Sequence, residues 1–192
     1  MDAADLAFAG PSRQAELVRS GEVSARELTE LYLERIERLD PEINAYRTVM
    51  AERALIEADQ ADQRRKAGDD RPLLGVPLAV KDNVDVAGEL TTHGTSAHDG
   101  RPATEDAELV RRLRGAGAVI IGKTNMPELA IIGDTESPTF GVTRNRGTWN
   151  AQWADPAAAA RRRWQPASQR RPTQPTARVR SAYRPPTADC SG

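Results

Sequence analysis

The sequence predicts an α/β fold, a sheet with helical cover. Three observations predict it. Two stretches near the start carry apolar residues at helical spacing. Two later apolar runs, bounded by turn residues, read as buried strands. A capped helical stretch lies between those runs, so helices come first and then strand, helix, strand.

The elements follow in order. Residues 14–19 read as a short helix stopped by Gly21. Ser24-Ala25-Arg26-Glu27 has the form of a capping box, in which the serine side chain caps a backbone N–H and the glutamate reaches back. Leu28, Leu31, Tyr32, Ile36 and Leu39 then recur at helical spacing, and Asp40-Pro41 is expected to end that helix. A second helix is predicted over 45–66, with Tyr46, Val49, Met50, Ala54 and Leu55 on its apolar side, closed by Gly68-Asp69-Asp70. Residues 74–80 form the first buried strand. Thr104 can cap a helix over 105–114, closed by Gly115. Residues 118–121 form the second strand. Thr124-Asn125 starts a turn, and Met126-Pro127-Glu128-Leu129 can open another helix. No internal repeat is present.

After residue 150 the pattern stops and the composition changes. Residues 1–145 carry 18 Lys and Arg against 26 Asp and Glu, a net charge of −8. Residues 146–192 carry nine Arg, no Lys and two Asp, a net of +7. All three tryptophans, Trp149, Trp153 and Trp164, lie in that second part, which has no Leu, Ile, Met or Phe. Two compositions in one chain argue for two origins or two physical states. Residues 153–192 cannot bury enough apolar surface to offset chain entropy, so disorder is expected there.

The single cysteine, Cys190, excludes an internal disulfide and fits a reducing compartment. No apolar run approaches the length that spans a bilayer, and Asp2 and Asp5 stand where a secretory signal would carry Lys or Arg. The expectation is a soluble cytoplasmic protein.

Several motifs invite a functional reading. Gly117-Ala-Val-Ile-Ile-Gly122-Lys123-Thr124 has the spelling of a phosphate-binding loop. Such a loop needs flexible residues between its glycines and then an uninterrupted helix. Here the interior is a β-branched strand and Pro127 soon follows, so nucleotide binding is not expected. His93 and His98 sit in a Gly- and Thr-rich stretch without a nearby Cys, which reads as surface histidine rather than metal site. The arginines of residues 146–192 could form a nucleic-acid or acidic-membrane footprint, which steep salt dependence would reveal.

The run Leu74-Gly-Val-Pro-Leu-Ala-Val-Lys81-Asp82-Asn83 puts one lysine at the end of a buried strand. A solvated strand-end lysine is the ordinary reading of that spacing. A desolvated one would lose affinity for its proton and become available as a base. The wider pattern favours the second. Gly75 to Asn83, Gly115-Ala-Gly-Ala-Val-Ile-Ile-Gly-Lys-Thr-Asn-Met126 and Phe140-Gly-Val-Thr-Arg-Asn145 closely resemble the amidase signature family, in order and with ordinary spacing over residues 5–145. The resemblance implies the N-terminal fragment of that fold, helices packed on an incomplete mixed sheet, followed by a disordered tail. It also implies a Ser–cis-Ser–Lys triad working without metal or cofactor, with Lys81 as the base that takes a proton from a bridging serine. That serine activates the nucleophilic one, and backbone N–H groups hold the oxyanion.

The pattern breaks after Asn145. The family continues P-W-N, then G-G-S-S-G-G-S, then D-G-x-G-S-I-R-I-P-A, whereas this chain reads Arg146-Gly147-Thr148-Trp149-Asn150. Loss of one base near Asn145 accounts for the change. Arg146, Gly147 and Thr148 can then hide P-W-N. Residues 154–160 can hide G-G-S-S-G-G-S, residues 161–167 A-A-A-V-A-A-G, residues 176–180 D-G-A-G-S, and residues 181–192 I-R-I-P-A-A-Y-C-G-L-F-G. One unchanged offset recovers the signature, although Trp153 yields valine or methionine where proline is usual. Codons for Gly, Ala and Ser read one base out become Ala, Arg and Pro, so the positive charge becomes an accident of frame. Pro156 stands where the bridging serine belongs and Arg180 where the nucleophile belongs.

The expectation is an amidase by descent. The intact parent hydrolyses a carbon–nitrogen amide bond of a small molecule, and this chain is inactive. Neither a membrane nor a nucleic-acid partner is expected. Simple amides, amino-acid amides and the glutamine-hydrolysing step of a transfer-RNA amidotransferase all stay open as substrates. The chain is expected to end before the family's body is complete, exposing apolar faces and leaving it marginally stable. A non-enzymatic module that associates with another amidase chain is a further alternative.

Overall fold

The computed structural model describes residues 2–145. The segment 146–192, with its expected disorder and the two serine positions Pro156 and Arg180, lies outside them. Short helices α1 (Ala3–Phe8) and α2 (Pro11–Ser20) lead into the long α3 (Ala25–Ile43). Gly21 takes up the left-handed conformation that ends α2, as its position suggested. The capping box of α3 is complete. Glu27 N–H donates to Ser24 Oγ at 3.0 Å, and Ser24 N–H donates to Glu27 Oε2 at 2.8 Å.

Helix α3 does not stop at Asp40-Pro41. Proline in a last turn removes one N–H from a region already open to water, so the helix runs on to Ile43. Asn44, at φ 53°, ends it with an N–H bond to the Asp40 carbonyl. The Asp40 carboxylate then accepts from the N–H groups of Ala45 and Tyr46, at 2.7 and 3.2 Å.

The predicted helix over 45–66 is two elements, strand β1 (Tyr46–Val49) and helix α4 (Ala51–Lys66). Tyr46, Thr48 and Val49 favour a pleated surface, and an available partner strand decides the matter. That partner is β3 (Val119–Thr124), to which β1 pairs antiparallel. Strand β2 (Pro77–Lys81) pairs with β3 in parallel, giving a mixed sheet of order β1-β3-β2. Helix α5 (Glu108–Gly115) bridges β2 and β3. It starts later than Thr104 suggested, because Asp106 is committed elsewhere: it accepts from Ala87 N–H and pairs with Arg114. Residues 128–130 form only a 3-10 turn, with Leu129 at φ 51°. A small hairpin, β4 (Glu136–Ser137) and β5 (Gly141–Val142), follows.

The central strand β3 distributes its side chains to two cores, as period-two alternation requires. Val119 and Ile121 pack with Val18, Leu28, Ala54, Ala58 and Leu74 under α3 and α4. Ile120 packs with Met50, Val80, Val86 and Val110 on the other face. Covering both faces is what a parallel pair of apolar strands needs. No helix among the described residues is long and apolar enough to cross a membrane.

Candidate functional site

The site forms at the C-terminal ends of β2 and β3. In cross-strand register Tyr46, Thr124 and Lys81 make one row over the three strands. The row before it, on β2 and β3, is Val80 with Lys123. Successive strand side chains leave opposite faces, so Lys81 and Lys123 serve different sides of the sheet.

Lys123 is 0 % exposed, and its ammonium group makes two hydrogen bonds and one ion pair. It donates to the Leu90 carbonyl at 2.6 Å and to Thr91 Oγ1 at 2.7 Å, and it lies 3.0 Å from Asp82 Oδ1. Asp82 is 1 % exposed. Its Oδ2 accepts a short hydrogen bond from the Thr92 hydroxyl and a longer one from Thr92 N–H. Its Oδ1 accepts no aligned hydrogen bond, so the nearby ammonium is what balances that oxygen. The Asp82 backbone donates to Thr124 and accepts from His93 N–H. A buried ion pair thus straps the loop 82–93 to the end of the sheet.

Lys81 is the opposite case. It is half-buried, and its side chain has no hydrogen bond or ion pair among the described residues. Its amine is therefore unoccupied at the sheet end, immediately before the pinned Asp82. Gly117–Thr124 is not a phosphate cradle, since its lysine is consumed by the buried pair. His93 is exposed, while the half-buried His98 accepts from Gly100 N–H through Nδ1.

A second arrangement brings the third motif block to this end of the sheet. The Asn44 carbonyl accepts from Asn125 Nδ2 at 2.9 Å and from Thr143 Oγ1 at 2.6 Å. Asn44 Nδ2 donates to the Phe140 carbonyl at 2.7 Å, and Arg144 N–H donates to the Ile43 carbonyl at 2.7 Å. Residues 140–144 are thereby clamped beside Asn125, one residue past the row that holds Lys81. Sequence reasoning missed both the buried pair and this clamp. The signal for the pair was a lysine inside an apolar strand run, one glycine after Val119-Ile120-Ile121, with an aspartate just past the other strand.

A family model described as Amidase matches residues 27–153. The chain belongs to the amidase family. It is 59% identical over 145 residues to the AmiB2 protein of Mycobacterium tuberculosis (strain ATCC 25618 / H37Rv), an alignment covering 76% of this chain and 31% of that protein. Among solved structures it is similar to 6-aminohexanoate cyclic dimer hydrolase complexed with substrate. The TM-score there is 0.66 at 36% identity, covering 76% of this chain and 28% of that one. It is also similar to the peptide amidase from Stenotrophomonas maltophilia, with a TM-score of 0.63 at 39% identity, covering 70% and 29%. The chain thus spans about a third of the length of the curated relatives it matches. The three motif blocks of this amidase chain are the segments that the sheet and the Asn44 clamp gather at one end.

Proposed function

We propose that this chain is the N-terminal part of an amide hydrolase in which the lysine base, Lys81, is in place. Its two serines are lost to a one-base slip near Asn145. The intact parent hydrolyses a linear carbon–nitrogen amide bond to a carboxylate and ammonia or an amine, and the chain as written does not. The observation that carries this reading is the contrast between the two strand-end lysines. Lys123 is held by two hydrogen bonds and a buried ion pair, whereas Lys81 is half-buried with an unengaged amine.

The geometry around Asn145 supports the same reading. The chain leaves the described body from residues clamped at the sheet end where Lys81 stands. In the restored frame the bridging serine falls at position 156 and the nucleophile at position 180. A segment entering from Asn145 would bring them towards Lys81 from that end. Lys81 would take the proton of the bridging serine, which would take that of the nucleophile as it attacks the carbonyl carbon. The departing amine would be protonated along the same path, and water would release the acyl group. As written, proline at 156 and arginine at 180 offer neither hydroxyl, and a lysine alone provides no covalent route.

The test is to sequence the gene and transcript across the codons for Thr143 to Ala154, then to express the chain as written beside one with a single base restored. The restored chain is expected to release ammonia from primary amides and to lose that activity on Lys81→Met. The chain as written is expected to release none. Lys81-dependent hydrolysis by the chain as written would overturn the reading. So would a sound frame with no serine codons beneath it.

A further inference from the structure

Helix α4 returns along α3, so that its second half meets the start of α3. Arg26 Nη1 donates to Asp59 Oδ2 at 2.6 Å, and Ala25 N–H donates to Asp62 Oδ1 at 2.9 Å. The pair therefore has two ends, and they carry opposite charge. At one end, α3 and the junction of β1 with α4 enclose an open groove of about 560 Å³, with Leu33, Ile36, Val49 and Leu55 as an apolar floor and Glu34 and Glu37 on its wall. Neither glutamate has an ion pair among the described residues, whereas Glu30 beside them is taken up by Arg26. At the other end, α4 closes on Arg64, Arg65 and Lys66. Cations in a last turn suit the helix dipole and need no further cause. What sets this end apart is that α2 ends there too. Arg65 Nη1 lies 2.9 Å from where a Cβ on Gly21 would stand, so the last turn of α2, with Arg19, abuts that of α4. Arg19, Arg64 and Lys66 are exposed and form no ion pair among the described residues, and the nearby Asp69 carboxylate is held by Arg71.

We propose that these two ends bind each other between copies of this chain, the basic end of one body seating in the acidic groove of the next. Within one chain they cannot meet. Leu55 and Lys66 are separated by about 16 Å of helix. That exceeds the reach of a side chain and the ~8 Å over which exposed charges act at physiological salt. Between copies, charge and apolar character both match. Guanidinium and ammonium groups meet Glu34 and Glu37, while the alkyl stems of Arg64 and Lys66 lie along the apolar floor. Val49 in that floor is 40 % exposed in the single copy, so apolar surface is left to cover. Exposed ion pairs are individually weak, so the association is weak and salt-sensitive. The contact is also heterologous. Each copy offers a different patch from the one it receives, so the contact extends into rings or open chains instead of stopping at a symmetric dimer. The proposal stands apart from the amide-hydrolase reading, since neither Lys81 nor its sheet end takes part.

The experiment is sedimentation velocity of the full chain over a range of protein concentrations, at low salt and at about 1 M salt. Two variants accompany it, Glu34→Gln/Glu37→Gln in the groove and Arg64→Gln/Lys66→Gln at the basic end. Far-UV circular dichroism confirms that their helices are intact. The unmodified chain is expected to form salt-sensitive species that grow beyond dimers as concentration rises. Each variant alone should self-associate roughly tenfold more weakly. Mixed in equal amounts, the two should recover the affinity of the unmodified chain yet stop at a 1:1 pair, because each supplies only one working patch. A monomer at every concentration would overturn the proposal. So would association that high salt leaves unchanged, or a mixture that associates no better than its parts. Loss in one variant alone would give that patch a different occupant, and overturns it as well.

Discussion

Lys81 and Lys123 lie in adjoining rows of the same parallel pair, yet Lys123 is held by two hydrogen bonds and an ion pair and Lys81 by none among the described residues. That difference is measurable. Lys123→Met would leave the Asp82 carboxylate buried without its counter-charge and is expected to cost about 3–5 kcal/mol. Lys81→Met removes no partner and is expected to stay within about 0.5 kcal/mol of the parent. Urea unfolding followed by far-UV circular dichroism checks both. Equal losses would mean that Lys81 holds the fold as Lys123 does, and would count against the proposal that it serves as the base. At this scale the sequence revealed Lys81 only through the motif around it. Lys123 was legible merely as a phosphate-loop residue to be set aside. Its true role depends on Leu90, Thr91 and Asp82, which are distant in the chain and meet it only once β2 and β3 pair.

Among the elements, those governed by local rules were readable and those governed by pairing were not. The start of α3 was legible because a capping box is a four-residue signal. Strand β1 was not, because Tyr46 to Val49 also fits the apolar spacing of the helix that follows, and β3 alone decides between them. The cap carries its own prediction. Ser24→Ala should destabilise the protein by about 1 kcal/mol. It should also alter the acid response. The Ser24 backbone N–H, assisted by the hydroxyl, holds the Glu27 carboxyl below its usual range. The salt-bridging arginines do the same for Glu108, Arg112 foremost, and Arg71 does so for Asp69. A carboxylate depressed in the folded state stabilises above its unfolded value, near ~4.3 for glutamate, and loses that contribution as pH falls through the lower folded value. Stability is therefore expected to drop below about pH 4. Part of that drop should be missing from the Ser24→Ala protein, as urea midpoints at pH 7 and pH 3 would reveal.

For the whole molecule, the α/β class and the amidase family were both legible, since three motif blocks in order are a long-range signal that needs no geometry. The placement of those blocks at one sheet end was not, because it rests on the Asn44 clamp. The body also displays Leu129, Ile131 and Ile132 on the strained turn after β3, with Ile131 76 % exposed. Contiguous exposed apolar groups promote association. Ile131→Ser with Ile132→Ser is expected to raise the concentration at which the chain remains monomeric. Sedimentation velocity would show it, and an unchanged distribution would assign any association to another surface.

The clamp has a consequence for how the molecule comes into being. Asn44 and Thr143 are separated by 99 positions, so their bond is among the longest-range contacts of the fold. Contacts of that span close late, because the intervening loop must first be ordered. On a ribosome adding roughly 5–20 residues per second, the Asn44 carbonyl is synthesised some 5 to 20 s before its last partner exists. The pair α3 and α4 can assemble meanwhile, and the sheet can follow once β3 has emerged. The clamp then closes at the point in synthesis where the compositional change begins. A chain ending just before Thr143 should therefore protect the amides of α3, α4 and β3 from hydrogen exchange while leaving those of the β4–β5 hairpin open.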